Sequence, residues 1–472
     1  MQDPRTQIIE QILQKLQISL TQEQEVALQT FFEFFLSRED RSTLLLTGSA
    51  GTGKTLLIGI FSQFLRKMGY KVILLAPTGR AAKVISRRSK QLAYTIHHHI
   101  YEVRENLYGD VQFHPRPNKA KTKTVYIVDE ASMIGDQKDS SSRRGLLYDL
   151  LNFVFDTDPQ RKLILVGDPV QLPPVGHEAS PALDVDALSH IGDLEVYDAH
   201  LTEVKRQEID SGVLDNAVLI RDAYLLGQTQ QLAINPGRDV ITLESAYEAL
   251  ETYMGYYQEG NLDRVVFITY SNWQAMKVNQ AIRHQLLETQ ELLVPSDVLM
   301  VVKNNYAWGD EKKFPFIANG EMGTVVYVAN ESYEERYGLK WVDAEIEFVD
   351  ARGEAILVHC KLVLDLLQNK QAQLSRDQAY AVLQERQREY LGLAPSVARE
   401  QLRTDPYVNA LQVKYGYAIT GHKSQGGQWE NVIIGFEPDY GQNPSAYARW
   451  TYTVFTRAEE RVYLLNCPFV QY

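Results

Sequence analysis

The chain has 472 residues, of which 44% are hydrophobic and 23% are charged, and its formal net charge is −12 at pH 7. These values are typical of a globular protein of about three domains, and no apolar run is long enough to predict a membrane span. The two cysteines, Cys360 and Cys467, are too few for a disulfide framework, and the N-terminus lacks a secretory pattern, so we expect a cytoplasmic location.

The negative net charge does not exclude nucleic acid as a partner, because phosphate binding depends on local fields. The windows Arg80–Lys90 and His114–Thr124 contain several basic residues and no acid. Each window could be a solvated face or a phosphate-binding surface. Composition alone leaves both interpretations open.

Residues 6–17 and the stretch that begins at Thr21 predict two amphipathic helices, with Thr21 as the N-cap of the second. Gln24 lies in the first turn of that second helix. Its amide carries both a donor and an acceptor and could therefore read the edge of an adenine. A glutamine on a helix surface has the same appearance, so the position is informative only beside a nucleotide site.

The most informative stretch is Gly48–Thr55, with the sequence GSAGTGKT, which follows the apolar residues 44–46. This pattern predicts a strand, a glycine-rich phosphate-binding loop and the start of a helix. Glycines let backbone N–H groups turn inward around a polyphosphate, the lysine reaches the β- and γ-phosphates, and the last threonine can ligate Mg²⁺. The residues that we expect to bind the nucleotide here are Gly48, Ser49, Ala50, Gly51, Thr52, Gly53, Lys54 and Thr55. The chain therefore contains a nucleoside-triphosphate site.

Residues 71–77 and 78–83 predict a second strand and a second helix, which is the order of a parallel α/β sheet. Thr78 lies at the junction, where the N–H groups of a helix start can bind phosphate. The consecutive histidines His97–His99 do not predict a metal site, because adjacent side chains diverge and no other ligand lies at suitable spacing. Residues 101–123 are polar and irregular and predict a small inserted hairpin.

Two further strands are predicted to deliver polar groups to the nucleotide. Residues 124–128 end in Asp129 and Glu130, at the carboxyl edge where open parallel sheets bind ligands. Asp129 suits a contact to Mg²⁺, and Glu130 suits polarisation of the attacking water. After the strand at 162–166, Gln171 is placed to hydrogen-bond the γ-phosphate or that water.

The strand–helix pattern restarts at residue 265 without a second phosphate loop, and it is interrupted by short alternating strands and a glutamine-rich helical stretch. This predicts a second α/β unit with a small β-barrel and a helical arm inserted into it. The expected domains are residues 1–200 with the hairpin at 101–123, residues 201–296 together with 412–472, and the insertion 297–411 with its arm at 363–403.

The order of these motifs resembles superfamily 1 helicases, and within them the RecD- and Dda-like group of superfamily 1B. The matching segments are LTxxQ (20–24), GSAGTGKT (48–55), APTGRAAK (76–83), TIHHHIY (95–101), VDEASMI (128–134), GDPVQLPPVG (167–176), LTEVKRQ (201–207), VNQAIR (278–283), VKNNY (302–306), NGEMGTV (319–325), YAITGHKSQGGQW (417–429) and YTVFTRA (452–458). They extend over nearly the whole chain in the family's order.

The resemblance implies an α/β fold with two RecA-like P-loop domains, a hairpin inserted in the first, and an SH3-like β-barrel plus helical arm inserted in the second. It also implies ATP and Mg²⁺ as cofactors, hydrolysis in the cleft between the domains, and 5′→3′ translocation on single-stranded DNA. The catalytic residues that it implies are Glu130, Lys54, Gln171, Arg206 and Arg457, with Gln24 reading adenine, Thr55 and Asp129 as Mg²⁺ ligands, and Gln425 and Gly426 as further nucleotide contacts. The nucleic-acid contacts that it implies are Pro77, Thr78, Thr95, His97, Thr420, His422 and Lys423, with the 101–123 hairpin as a strand-separating pin.

The expected partners are single-stranded DNA and junctions with duplex, and a protein partner in repair, recombination or replication is compatible with the motifs. Two alternatives remain open at this stage. One is an RNA helicase or ribonucleoprotein remodeller with the same ATPase, because a groove that follows the backbone distinguishes the sugars only by contacts to the 2′-hydroxyl. The other is an ATPase switch that nucleic acid stimulates but that does not translocate.

Overall fold

The computed structural model divides the chain into two units. The residues that it describes are 4–105, 111–121, 123–137, 144–204, 211–259, 261–308, 317–350, 353–438 and 443–470. Unit 1 comprises Met1–Pro77, Ala81–Glu102 and Phe113–Thr229, and unit 2 comprises Thr78–Arg80, Val103–Gln112 and Gln230–Tyr472. Within the described ranges, no helix has both the length and the apolar composition that crossing a membrane requires.

The first half of the chain forms a six-stranded parallel sheet with helices packed against it. Its elements are α1 (Pro4–Leu16), α2 (Gln22–Leu36), β1 (Ser42–Gly48), α3 (Lys54–Lys67), β2 (Lys71–Ala76), α4 (Gly79–Ser89), β3 (Ala93–Thr95), α5 (Ile96–Ile100), β4 (Tyr101–Glu105), β5 (Val111–Pro115), β6 (Thr124–Val128), α6 (Leu146–Phe155), β7 (Lys162–Gly167), α7 (Val185–Gly192), β8 (Glu195–Leu201) and α8 (Gly212–Leu225). The strand order is β3-β2-β6-β7-β1-β8, and each neighbouring pair is parallel. The carboxyl ends of all six strands therefore meet at one edge.

Local sequence explains why the elements beside the phosphate loop form. Thr21 caps α2, because its side chain accepts from the backbone N–H of Gln24 while the Gln24 side chain accepts from the Thr21 backbone. Phenylalanines at helical spacing in α2 are buried against α3, and the rings of Phe31 and Phe61 stack with centroids 4.1 Å apart. Each such burial contributes roughly 1.5–3 kcal/mol. This aromatic core fixes α2 and α3 against the sheet that carries the loop.

Strands β4 and β5 form a separate two-stranded sheet at the place of the predicted hairpin. The predicted turn at Gly109-Asp110 lies outside the described residues. The assignment of this hairpin as a strand-separating pin therefore stays a prediction.

The second half of the chain forms a five-stranded parallel sheet and a closed barrel. Its elements are β9 (Val240–Leu243), α9 (Ala246–Tyr256), β10 (Val265–Thr269), α10 (Asn272–Leu287), β11 (Val298–Val301), β12 (Met322–Arg336), β13 (Leu339–Val349), β14 (Ala355–Val363), α11 (Arg376–Glu389), α12 (Pro395–Arg403), β15 (Leu411–Tyr415), β16 (Ala418–Thr420), α13 (Gly421–Ser424), β17 (Trp429–Gly435), α14 (Pro444–Phe455) and β18 (Ala458–Leu465). The sheet order is β16-β10-β17-β18-β9, and β11 to β15 close the barrel. The expected α/β class, with two parallel sheets and an inserted barrel, is confirmed.

Two boundaries differ from the expected ones. The barrel extends to Tyr415 rather than ending at residue 411, because β15 pairs with β11 and Tyr415 lies opposite Leu299. Unit 1 extends to Thr229 rather than ending at residue 200, because α8 packs against the phosphate loop. Both differences arise from contacts between segments that are distant in sequence.

The predicted helical arm consists of α11 and α12, which are joined by a short turn. Arg386 of α11 donates from Nε to Oδ2 of Asp405 at 2.7 Å, and the Tyr390 hydroxyl donates to the same oxygen at 2.7 Å. Asp405 is buried, so these charge-assisted bonds offset the cost of its burial. The arm is therefore held together by a specific buried ion pair.

Candidate functional site

The glycine-rich loop joins β1 to α3 and has a backbone that only glycine adopts easily. Gly51 and Gly53 have φ angles of +77° and +91°, in the left-handed region that favours glycine. A Cβ on Gly48 would lie 2.8 Å from the carbonyl oxygen of Leu201. All three glycines of the motif are thus required by the local geometry.

Lys54 is the first residue of α3 and is held against the loop. Its Nζ donates to the carbonyl oxygens of Gly48 and Ser49 at 2.6 and 2.8 Å. The Thr52 hydroxyl donates to the Ser49 carbonyl at 2.8 Å. These bonds keep a positive charge at the N-terminus of α3, where the helix dipole also favours a phosphate.

Gln24 connects α2 to the same loop. Its Nε2 donates to the carbonyl oxygen of Thr52 at 2.9 Å, and its Oε1 accepts from the backbone N–H of Thr21 at 3.1 Å. The side chain is buried. An amide has two N–H groups and two oxygen lone pairs, so these bonds leave one donor and one acceptor for an adenine edge.

Asp129 and Glu130 follow β6 at the carboxyl edge, as predicted. Glu130 has a φ of +54° although it is not glycine, and Oδ1 of Asp129 accepts from the Glu130 backbone N–H at 2.9 Å. A left-handed conformation at such a residue costs roughly 1–3 kcal/mol and is concentrated at functional sites. The strained turn therefore supports a chemical role for this acid pair.

Burial, together with the charge of Glu130, raises the pKa of Asp129 to about 6, while Lys54 opposes the increase. The repulsion between the two carboxylates contributes to this raised pKa. A divalent cation bound beside them would relieve the repulsion. Carboxylate and hydroxyl oxygens are also the ligands that Mg²⁺ prefers. Thr55, the second residue of α3, and Asp129 are therefore a donor pair that fits Mg²⁺.

Gln171 lies in the turn that follows β7. Its backbone N–H donates to the carbonyl oxygen of Asp168 at 3.2 Å, and the Asp168 carboxylate accepts from the Val170 N–H at 3.0 Å. Both Gln171 and Asp168 are buried. Gln171 therefore lies in a tight turn at the carboxyl edge of the sheet. Arg206, which the resemblance implies as a catalytic residue, lies outside the described residues.

Two residues beside the loop were not predicted from the sequence. The Glu23 carboxylate accepts from the backbone N–H groups of Thr202 and Glu203 at 2.6 and 2.7 Å. Burial alone would raise the pKa of Glu23, but these bonds lower it below its ordinary value. Arg221 of α8 donates from Nη1 to the Thr202 carbonyl at 3.2 Å and lies 3.5 Å from the Ser49 hydroxyl. The start of α2 and the helix α8 therefore both hold the segment that follows β8.

Three of the residues predicted for the nucleotide lie together in unit 2. Arg457 is buried and donates from Nε to the Thr453 carbonyl at 2.9 Å and from Nη1 to the Gly427 carbonyl at 3.3 Å. Gly426, with a φ of +71°, and the buried Gln425 immediately precede that carbonyl. Gln425 and Gly426 belong to the motif YAITGHKSQGGQW, and the hydrogen bond to Gly427 brings Arg457 of the motif YTVFTRA to the same turn.

The predicted nucleic-acid contacts of the first sheet follow β2 and β3. Pro77 and Thr78 come directly after β2. The Thr95 hydroxyl accepts from the His98 N–H at 3.2 Å and so caps α5, and the His97 ring lies 5.7 Å from the ring centroid of Tyr101. Thr95 therefore has a structural role in this helix, whatever it contacts in a complex.

The predicted contacts of the second sheet follow β16. Thr420 ends that strand opposite Thr269 of β10, and His422 is exposed. The Lys423 ammonium donates to Oδ1 of Asn319 at 2.6 Å, and burial lowers the pKa of Lys423 to about 8. These residues form a polar turn at the carboxyl edge of the second sheet.

A parallel sheet with a phosphate loop and acids at its strand ends, followed by a second parallel sheet with polar strand ends, defines a P-loop nucleotide-binding fold with two RecA-like units. Two family profiles match the chain: an AAA domain over residues 19–233 and a UvrD-like helicase C-terminal domain over residues 415–465. These two matches and the relatives below are similar to this chain in the way that the resemblance to superfamily 1B helicases of the RecD and Dda group predicts.

Individual relatives are similar to different parts of the chain. RecD2 DNA helicase of Deinococcus radiodurans is 33% identical over 28% of this chain and 16% of its own length. The Dda helicase of bacteriophage T4 is 27% identical over 56% of this chain and 57% of its own length. An uncharacterised protein of Methanocaldococcus jannaschii is 24% identical over 89% of this chain, which spans 36% of that relative. The crystal structure of Pif1 helicase from Candida albicans covers 96% of this chain and 95% of its own, with 17% identity and a TM-score of 0.47.

Proposed function

We propose that the chain is an ATP-dependent DNA helicase that translocates 5′→3′ on single-stranded DNA and unwinds duplex. The observation that carries the proposal is the group at the carboxyl edge of the first sheet, where Lys54 lies in a phosphate loop beside the acid pair of Asp129 and Glu130. The presence of a second RecA-like unit with a buried Arg457 supports a motor rather than a simple nucleotide binder. The matched relatives RecD2 and Dda are named ATP-dependent DNA helicases.

In this proposal the side chains of unit 1 bind and cleave the nucleotide. Lys54 binds the β- and γ-phosphates, and Thr55 and Asp129 hold Mg²⁺, which neutralises phosphate charge when bound. Glu130 accepts the proton of the attacking water, and Gln171 orients that water.

Two arginines and one glutamine complete the proposed nucleotide contacts. Gln24 reads the adenine edge. Arg206 and Arg457 stabilise the charge of the transition state, as guanidinium groups do in phosphoryl transfer. Hydrolysis that depends on both arginines would be coupled to the relative movement of the two units. The residues proposed to follow the DNA backbone would convert this movement into translocation steps along the strand.

The decisive experiment measures unwinding of duplexes that carry either a 5′ or a 3′ single-stranded tail. We expect wild-type protein to unwind the 5′-tailed duplex, and Lys54→Ala to lose hydrolysis and unwinding together by a factor on the order of 10²–10³ while it still binds DNA. Lys67→Ala is the matched control, because Lys67 is an exposed lysine at the other end of the same helix. Unwinding only with 3′ tails would contradict the proposed direction.

The same preparation distinguishes the alternatives. ATPase turnover is measured with matched single strands of DNA and RNA, because the two differ at the 2′-hydroxyl. Stronger stimulation by RNA would replace the DNA assignment. Strand binding without stimulation of hydrolysis would indicate a switch rather than a motor.

A further inference from the structure

Trp273 is a large aromatic residue that the fold leaves exposed. It is the second residue of α10 and is 45% exposed, whereas Trp341, Trp429 and Trp450 are each 1% exposed. Lys277, one helical turn later, places its Nζ 3.6 Å from the centroid of the indole. The Lys277 ammonium therefore covers one face of the indole, and the surface of α10 presents the rest of this exposed ring together with a positive charge.

The position of α10 is fixed against the strand that ends in the predicted nucleic-acid contacts. The buried Asn279 side chain donates to the Ala418 carbonyl at 2.7 Å and accepts from the Ala418 N–H at 2.8 Å. From Asn279 back to Trp273 the helix rises about 9 Å, and from Ala418 forward to Thr420 strand β16 rises about 7 Å. Helix α10 begins at the carboxyl edge because it follows β10, which runs parallel to β16. The indole is therefore level with the turn that follows Thr420.

A second exposed aromatic residue lies at the same corner. Tyr270, between β10 and α10, is 41% exposed, and its ring lies 5.4 Å from that of the buried Trp450 in an edge-to-face arrangement. The adjacent backbone is also fixed, because the Glu437 carboxylate accepts from the Ser271 N–H at 3.0 Å. Trp273 therefore lies in a helix, and Tyr270 lies in a two-residue connection whose backbone this hydrogen bond holds.

We propose that Trp273 and Lys277 form a base-stacking site for single-stranded DNA, in which one base stacks on the indole and the ammonium pairs with a neighbouring phosphate. The inference rests on the proposed function and adds a contact to the strand path that Thr420, His422 and Lys423 are proposed to line. Stacking on an aromatic face accepts every base, as a motor that moves along any sequence requires. The positive charge of Lys277 matches the phosphate that lies beside each stacked base.

A lysine over an indole four residues earlier also stabilises a helix slightly. That role alone requires no contact with DNA. The two roles are therefore separated by measuring DNA binding rather than protein stability.

The chain offers a closely matched control in Tyr247. It is the second residue of α9, is 69% exposed, and begins its helix at the carboxyl end of β9, at the opposite edge of the same sheet. Four inter-strand spacings, or about 19 Å, separate β9 from β16. Tyr247→Ala therefore removes an equivalent aromatic group outside the proposed site.

The first measurement is the concentration of oligo(dT) that half-maximally stimulates ATP hydrolysis. We expect Trp273→Ala to raise it roughly 5- to 100-fold, the range that loss of one stacked base produces. Hydrolysis without DNA should stay unchanged, and Tyr247→Ala should behave as wild type. Lys277→Ala should raise the half-maximal concentration by a smaller factor and weaken its dependence on salt.

The second measurement is tryptophan fluorescence, which does not depend on hydrolysis. Oligo(dT) should quench wild-type emission, and Trp273→Phe, which keeps an aromatic ring in the helix, should lose most of this quenching. Quenching that persists in Trp273→Phe, or equal DNA affinity of Trp273→Ala and Tyr247→Ala, would overturn the stacking site and leave the helicase proposal intact. Quenching at Trp273 without stimulation of hydrolysis would overturn the motor and leave the stacking site.

Discussion

The two parallel sheets of this chain use the same scaffold for different chemistry. Both present the carboxyl ends of their strands at one edge. At the first edge the strand ends carry a glycine-rich loop, Lys54, and the acids Asp129 and Glu130, so charge is concentrated around a place for phosphate. At the second edge they carry Thr420, a polar turn and the exposed Trp273, with no phosphate loop among the described residues.

The difference shows that the sheet edge supplies position and that the loops supply chemistry. The first edge contains the strained backbone of Glu130, a conformation that persists only where surrounding structure holds it. The second edge uses side chains that can contact a polymer one unit at a time, through hydroxyl, ammonium and aromatic groups. Substitutions at the first edge should therefore change the rate of ATP hydrolysis, and substitutions at the second edge should change the affinity for single-stranded DNA.

The largest effect should come from removing the acid that is proposed to accept the proton of water. Glu130→Gln keeps the shape of the side chain but not its basicity, so we expect kcat to fall roughly 10²- to 10⁴-fold while binding of ATP and DNA is retained. Steady-state hydrolysis and equilibrium nucleotide binding measure the two quantities separately.

The control for this change is Glu437→Gln. Glu437 lies just beyond β17 at the second edge, where it accepts from the Ser271 N–H. We expect it to change kcat little. Equal losses in both variants would contradict the separation of roles between the two edges.

The next effect concerns a histidine that the first unit uses for structure rather than for binding. The His99 ring packs against Tyr126 and Phe153, with centroid distances of 5.9 and 5.5 Å. Burial, followed by the positive charges of His98 and Arg116, lowers the pKa of His99 to about 4. The neutral ring is therefore favoured by folding, and its contribution is complete above the ordinary pKa of about 6.5 and is lost as pH falls towards 4.

This shift corresponds to about 2 kcal/mol of unfolding free energy lost between pH 7.5 and pH 5. Urea unfolding at the two pH values should show that loss in wild type and a clearly smaller one in His99→Phe. His190→Phe, which changes an exposed histidine in the last turn of α7, should keep the acid sensitivity of wild type. An unchanged pH dependence in His99→Phe would show that this ring is not the group responsible.

Much of the first edge could be predicted from the sequence, because its signals are local. The loop Gly48–Thr55 and the acids Asp129 and Glu130 each follow an apolar strand directly, and parallel strands must bring such ends together. The alternation of strands and helices in the sequence was sufficient to predict the α/β fold class. The inserted barrel was recognisable by the change to short alternating strands.

The remainder depends on contacts that no local pattern encodes. Glu23 bonds to Thr202 across 179 positions, and an acid in the first turn of a helix has the same appearance whether it has such a partner or only favours the helix dipole. Strand β15 alternates like any edge strand, so its place in the barrel is decided only by pairing with β11. Trp273 could not be recognised as exposed, because a tryptophan at helical spacing is more often buried.

The smallest expected effect on DNA affinity comes from substitution of Lys423. This substitution also tests most directly whether the second edge contacts DNA. The ammonium donates to Asn319 of the turn between β11 and β12, and burial lowers the pKa of Lys423 to about 8. If this lysine contacts a DNA phosphate, Lys423→Ala should weaken binding of single-stranded DNA about fivefold and reduce the slope of log affinity against log salt by roughly 0.7, the value for one phosphate of a single strand. Fluorescence anisotropy of a labelled oligonucleotide at several salt concentrations measures both.

The depressed pKa adds a pH dependence with a definite sign. Between pH 7 and pH 9 the wild-type ammonium loses its proton, so DNA binding should weaken as pH rises, whereas binding by Lys423→Ala should stay nearly constant over that range. Asn319→Ala is the companion variant, since it removes the protein partner of the ammonium and keeps the charge, and it should bind DNA at least as tightly as wild type. Weaker binding by Asn319→Ala together with an unchanged salt slope in Lys423→Ala would assign this lysine to attachment of the barrel rather than to the DNA path, because only a contact to phosphate releases a counterion.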